Sequence, residues 1–226
     1  MSLTIFDLDN TLLAGDSDHS WGQFLVERQL VDPHYFQERN DQFYEDYRQG
    51  CLDIHQYLLF ALEPLARFDA GTLSRLHAEF MREKIAPLML PKAQALIKHH
   101  RDQGNTLLVI TATNRFIVAP IVEVLDIPNL LASEAERDGE RYTGRPIDTP
   151  CFGEGKVTRL QRWLQEHKQN LSGSYFYSDS HNDLPLLKLV EHPVAVDPDP
   201  ILSAHALAHS WPIISLREPA ASAQNP

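Results

Sequence analysis

The chain has 226 residues, of which 43% are hydrophobic and 23% charged, and it carries a formal net charge of −11. That length buries a sizeable core, as one domain with a large insertion or as two modest domains. Without a run of Lys and Arg, the acidic balance argues against a nucleic-acid partner and against anionic lipid surfaces. Cys51 and Cys151 lie in no cluster of metal-ligand spacing, so two free thiols in a reducing compartment are expected. No stretch approaches the ~20 apolar residues of a membrane helix. The N-terminus lacks a basic region followed by a long apolar one, so no signal peptide is read and a cytoplasmic protein is expected.

Leu3 to Leu8 reads as a short apolar strand. From about Asp16 to Lys84 the pattern turns helical. Trp21, Phe24, Leu25 and Arg28 form a first stripe, with an arginine in its last place. Asp32-Pro33 is a helix start, an N-cap acceptor followed by proline at the first helical position. Phe36, Phe43, Tyr44 and Tyr47 continue that helix until Gly50 stops it. Ile54, Tyr57, Leu58, Ala61 and Leu62 mark a third helix, and Leu73, Leu76, His77, Phe80 and Met81 a fourth. Beyond Pro87 strands and helices alternate: helix 91–103, strand 106–110, helix 117–124, a hairpin at Asp138-Gly139, helix 156–167, strand 174–178, helix 184–190 and strand 193–196. This alternation predicts an α/β fold, a Rossmann-like parallel sheet with helices on both faces, carrying a helical insert after its first strand. The expected division is a core of residues 1–14 and 87–216, an insert of 15–86 and a disordered tail of 217–226. Hinges are expected near Ala14-Gly15 and Ile85-Pro87.

In such sheets ligands bind beyond the carboxyl ends of the strands. Three strands end there in polar residues: Asp7-Leu8-Asp9, Thr111-Ala112-Thr113-Asn114 and Asp179-Ser180-His181-Asn182-Asp183. Carboxylates crowded at one edge need a cation, and oxygen ligands without Cys or His suit Mg²⁺. Asp7 and Asp179 are the direct ligands on this reading, and Asp183 acts through water or by orienting other groups. An ionised Asp7 can attack phosphorus. Asp9 can protonate the leaving alcohol and later deprotonate water, if crowding and burial raise its pKa. Thr111 offers a hydroxyl and Lys156 a fixed positive charge to the phosphoryl oxygens. Loop amides near Asp9, Asn10 and Ala112 add donors. GEGK is no nucleotide P-loop, because the first glycine of GxxxxGK would be Pro150.

Taken together, FDLDNTLL, LLVITATN, GEGK and YSDSHNDLPLL resemble the four motifs of the haloacid dehalogenase superfamily, in order and at similar spacing. The resemblance covers residue 1 to about 196. It implies a Mg²⁺-dependent phosphomonoesterase acting through an aspartyl-phosphate on a small soluble ester. Asp7 would be the nucleophile, Asp9 the acid and base, and Thr111 and Lys156 the phosphate binders. Asp7, Asp179, Asp183 and the Asp9 carbonyl would surround the metal. The aspartate at position 9 marks the phosphatase and phosphotransferase branch.

The insert resembles that of phosphoserine phosphatases, whose acidic residue for the substrate amine would be Asp16. Asp16 is equally a plain helix cap. Their arginine for the substrate carboxylate has no counterpart in Gln56-Tyr57-Leu58-Leu59-Phe60-Ala61-Leu62. A buried carboxylate without a partner would cost several kcal/mol. An amino-alcohol phosphate without a carboxylate is therefore favoured, and histidinol phosphate fits. Phosphoserine is the alternative if Arg48 or Arg67 replaces the missing arginine. Trp21, Phe43, Tyr44, Tyr47, Tyr57 and Phe60 either stack on a substrate ring or pack the core of the insert. Asn182 is read as a substrate contact, and His181 as either a leaving-group contact or a bystander. A phosphotransferase or phosphomutase on the same scaffold, a lipid phosphatase and a non-enzymatic regulator are the competing functions.

Overall fold

Strand β1 (Leu3–Phe6) is buried at every position, which demands a strand on each edge and cover on each face. It has parallel neighbours in β2 (Thr106–Asn114) and β5 (Tyr175–Ser178), with Ile5 opposite both Leu108 and Phe176. Beyond β2 lie β3 (Asn129–Asp138) and β4 (Arg141–Ile147); beyond β5 lie β6 (His192–Val196) and β7 (Ile213–Ile214). The sheet order is β4-β3-β2-β1-β5-β6-β7, parallel except for the β3/β4 hairpin. The structure, a computed structural model, describes residues 2–217.

Successive side chains of a strand face opposite sides, and the two sides have separate cores. Ile5, Leu108, Ile110 and Phe176 pack with Leu160 and Trp163 of α7 (Glu154–His167), with α8 (Leu184–Leu187) and with α9 (Pro200–Ala208). Phe6, Val109 and Tyr177 pack with α5 (Pro91–Asp102) and α6 (Arg115–Val124). The second core runs on into the helices between β1 and β2.

Those helices, ahead of α5, are α1 (Ser17–Glu27), α2 (Pro33–Arg48), α3 (Ile54–Leu62) and α4 (Ala70–Phe80). Each begins at an aspartate, Asp16, Asp32, Asp53 or Asp69, whose side chain accepts backbone N–H groups of the first turn. Gly50, at φ +71°, follows α2 in the left-handed conformation that ends a helix without a Cβ penalty. Trp21, Phe24 and Leu25 are buried as the α1 stripe predicts. Trp21 meets Phe80 and, from α6, Phe116 edge-on. Arg28, the last place of the stripe, reaches outward to Glu79 and Glu83 and ties α1 to the end of α4.

The chain leaves the sheet and returns to it side by side. Leu13 bridges Met89, and the Ala14 N–H donates to the Leu88 carbonyl at 2.8 Å. Arg217 donates to the carbonyls of Asn10 and Ala14 at this crossing and faces Asp197. The first residue of the expected tail is thus held, and 218–226 lie outside the described residues. β3 corrects the sequence reading. Its first residues pair with β2, so the polar hairpin is an extension of the sheet. The two-residue β7 is too short to leave a periodicity. Both cysteines are free, Cys51 exposed and Cys151 buried. Among the described residues no helix is long and apolar enough to cross a membrane.

Candidate active site

The ends of β1, β2 and β5 converge at one edge of the sheet, as the motif spacing predicts. The Asp7 N–H donates to the Tyr177 carbonyl at 2.9 Å, which carries the β1 backbone one residue past the strand. The Asp7 carboxylate, almost fully buried, accepts the Lys156 ammonium at 2.8 Å on Oδ1 and the Thr11 hydroxyl at 3.3 Å on Oδ2. Lys156 stands in the first turn of α7 and donates equally to Asp183, at 2.8 Å. Ser178 Oγ also donates to Asp183, at 2.7 Å on Oδ2. The glycines of GEGK fit this close packing. Gly153 sits at φ +52°, and a Cβ on Gly155 would run into the Pro150 carbonyl oxygen.

Thr11 links Asp7 to the third strand end. Its hydroxyl lies 3.0 Å from Asp179 Oδ1 and accepts the Asp179 N–H at 3.1 Å. One hydroxyl proton therefore serves two carboxylates. Burial, before any other cause, pushes Asp7 up to about 7 and Asp179 well above the usual carboxylate range; the charges of Asp183 and Asp9 add to the first against the pull of Lys156, and those of Asp7 and Asp183 add to the second. Lys156 is pushed further up by Asp183 and Asp7, against its own burial.

These oxygens fit Mg²⁺. Among the described residues no three His, Cys, Asp or Glu side chains form a ready-made cage. Mg²⁺ accepts such a site, because it is bound through one or two carboxylates, with waters and substrate phosphate completing the shell. The surplus of negative charge beside Asp7 and Asp179 is what a divalent cation would neutralise.

Asp9 points elsewhere. Its Oδ1 accepts the Ser17 N–H at 2.7 Å and its Oδ2 the Thr113 hydroxyl at 2.8 Å. Burial, with the charge of Asp16, raises it to about 7, while Ser17 and Thr113 pull it down. A carboxyl near neutrality can give and take a proton. The buried Thr111 hydroxyl accepts the Thr113 N–H at 3.2 Å, which leaves its own proton to donate.

A cavity of about 40 Å³ lies between these strand ends and the inserted helices. Asp7, Asp9, Thr111, Ala112 and Lys156 line one end. Asp16, Asp18, His19, Tyr44 and Tyr57 line the other, with Phe43, Tyr47 and Phe152 on the walls. Trp21 and Phe60 do not line it. Trp21 belongs to the core, and Phe60 stacks on Phe36. Among the described residues no arginine lines the cavity. Arg48 pairs with Glu45 in a neighbouring cleft, and Arg67 pairs with Glu63.

Several expected contacts are not made. The Asn10 N–H donates to the Gly15 carbonyl, so this amide is not free for phosphate. Asn182 donates its side-chain amide to the Tyr47 carbonyl at 3.1 Å, tying the sheet edge to α2. His181 turns to Asp199 at 2.8 Å, with its ring against Gly50, and lines the neighbouring cleft. Asp16 is the cap of α1, accepting the His19 N–H at 2.8 Å, and it also lines the cavity. Asp183 engages Lys156 and Ser178, which suits an orienting role. Sequence reasoning missed Thr11, Thr113, Ser178 and Asp18. Thr113 was within its reach, since a strand places residues 111 and 113 on one face.

A family profile described as haloacid dehalogenase-like hydrolase matches residues 4–188. The chain belongs to this family. A histidinol-phosphatase of Neisseria meningitidis serogroup C (strain 8013) is 46% identical to this hydrolase over 220 residues, covering 96% of this chain and 99% of the relative. The phosphoserine phosphatase SerB1 of Mycobacterium tuberculosis is 30% identical over 220 residues, covering 94% and 70%. Among solved structures, a protein of unknown function from Bordetella pertussis Tohama I superposes with a TM-score of 0.90 at 40% identity, covering 96% and 99%. A substrate-bound phosphoserine phosphatase superposes at 0.71 and 17% identity, covering 96% and 93%, a likeness of fold alone. This haloacid dehalogenase-like hydrolase is thus a phosphoric monoester hydrolase.

Proposed function

We propose that this phosphatase hydrolyses histidinol phosphate through an aspartyl-phosphate on Asp7, with Mg²⁺ held by Asp7, Asp179 and the Asp9 carbonyl. The observation that carries the reading is a cavity with Lys156 among the carboxylates of its phosphate end, Asp16 and Asp18 at its leaving-group end and, among the described residues, no arginine for a carboxylate. The 46% identity to the Neisseria histidinol-phosphatase supports it.

Asp7 attacks phosphorus, and the bond from phosphorus to the leaving oxygen breaks. Asp9 in its acid form gives that oxygen its proton, so the alcohol departs neutral. Asp9, now ionised, takes a proton from a water that attacks the phosphoryl group. The bond from phosphorus to Asp7 breaks, releasing inorganic phosphate and restoring both carboxyls. Lys156 and Thr111 hold the phosphoryl oxygens throughout. Bound Mg²⁺ would supply charge neutralisation at those oxygens. Residues 15–86 act as a cap over a core of 1–14 and 87–216, moving on the paired crossing at Leu13 and Met89. The two free thiols support a reducing compartment, the cytoplasm.

The test is phosphate release with Mg²⁺, with and without chelator, from histidinol phosphate, phosphoserine, phosphoethanolamine, glycerol phosphate and sugar phosphates. Preference for histidinol phosphate is expected. Preference for phosphoserine would refute the argument from the missing arginine. Transfer of phosphate to an added alcohol in place of release would favour the phosphotransferase reading.

A further inference from the structure

The end of the cavity away from Lys156 holds more negative charge than the chain balances. Asp16 and Asp18 both line it, and neither a lysine nor an arginine stands beside them. Asp16 is accounted for by its helix, whose first turn it caps. Asp18 is not. The residue is 6% exposed, and its Oδ2 has no hydrogen-bond partner. The Tyr57 hydroxyl faces the same carboxylate without satisfying that oxygen. Burial raises Asp18 to about 8, and the charges of Asp16 and Asp9 add to this.

Tyr57 and the first turn of α1, where an acidic side chain suits the helix N-terminus, engage Asp18, but among the described residues no donor reaches its Oδ2. The other aspartates at helix starts in this region, Asp32, Asp53 and Asp69, stand at the N-cap and spend their oxygens on backbone N–H groups. Asp18 stands two residues inside α1, where Asp16 has already taken the cap. An unpaired buried carboxyl oxygen opposes folding, and its partner must come from outside the chain. Asp16 caps α1 beside the crossing from β1, whereas Asp18 lies inside α1 and faces Tyr57 of α3, so Asp18 belongs to the insert's side of the cavity.

We propose that Asp18 is the specificity-determining residue for the leaving group, its free oxygen accepting an N–H from the far end of an alcohol that carries two nitrogen donors. Asp16 faces the nearer donor, an amine beside the phosphate-bearing carbon. Asp18 takes the farther one, a ring N–H such as that of imidazole, between Tyr44 and Tyr57. This rests on the reading of the substrate as histidinol phosphate and assigns the residue that selects it.

The test compares wild type with Asp18→Asn on histidinol phosphate and on glycerol phosphate, which has no nitrogen. The kcat/KM ratio of the two esters is expected to fall at least ~10-fold, mainly through KM, with glycerol phosphate changed less than ~3-fold. Added histidinol is expected to raise the unfolding temperature of wild type and not of the variant. The unliganded variant is expected to unfold no lower than wild type. Asp18→Ser, which also removes the charge, is expected to behave alike. Equal losses on both esters, or an unchanged ratio, would overturn the proposal. A wild type that does not prefer histidinol phosphate would instead refute the substrate reading. Phosphoethanolamine carries only the nearer donor, so its ratio to glycerol phosphate is expected to stay unchanged in Asp18→Asn, and a fall there as large as on histidinol phosphate would overturn the assignment of Asp18 to the farther donor.

Discussion

The two ends of the cavity treat buried charge in opposite ways. At the phosphate end Asp7, Asp9 and Asp183 each have partners from the protein on both sides, chiefly Lys156, Thr11, Thr113 and Ser178. At the leaving-group end Asp18 keeps an oxygen that nothing among the described residues satisfies. The phosphate end is built from strand ends of the sheet and the first turn of α7, the other from helices of the insert. Groups that serve every phosphate ester are wired in advance, whereas groups that tell one ester from another wait for the substrate.

The hardest test of the phosphate end is Asp7→Asn. It should cut phosphate release by more than ~10³-fold while circular dichroism shows the fold kept. Chelation of wild type should do the same and Mg²⁺ should reverse it; full turnover in chelator would remove the metal from the scheme. Lys156→Met should cost activity and also ~3–5 kcal/mol of stability in urea unfolding, because Asp7 and Asp183 are left buried without their cation. A variant as stable as wild type would mean that the two ends do not differ, since Asp18→Asn is expected to cost no stability.

Thr113→Val should lower kcat about 10-fold and leave KM for histidinol phosphate unchanged. Losing a donor to ionised Asp9 raises the Asp9 pKa, so the corresponding limb of the pH–rate profile should move to higher pH. The smallest effect on activity is expected at His100, away from both ends. Its ring lies between Thr4, Asn105 and Tyr177, and burial pushes it down to about 4. The unfolded chain therefore binds the proton first. Stability from His100 is complete above about pH 6.5 and is lost as pH falls toward 4, by at most ~3 kcal/mol. His100→Gln should flatten that slope in unfolding measured between pH 7 and 4.5.

The phosphate end was legible in the sequence because it lies at strand ends, where a run of apolar residues stops abruptly at an aspartate or a threonine. Asp7, Asp9, Thr111, Asp179 and Asp183 could be named without coordinates for that reason, Lys156 was named from GEGK at a helix start, and the structure brings them together. Asn10 and Asn182 misled because a polar residue in a loop can spend its groups on the loop itself or on a neighbouring element, as the Gly15 and Tyr47 carbonyls show. Asp18 was illegible because its meaning is an absence of partners, which only packing reveals. The parallel half of β3 was hidden by its polar continuation, which reads as a free hairpin.

The crossing at Leu13 and Met89 has a consequence for how the chain folds. Leu3 and its β2 partner Thr106 are far apart in sequence, and closing that loop is what makes such a sheet slow to form. Once the insert's helices have brought Leu13 to Met89, the effective loop shrinks from roughly a hundred residues to roughly thirty, easing closure by ~1 kcal/mol. The helices that recognise the leaving group thereby act as a local template for the strand pairing that completes the site for phosphate.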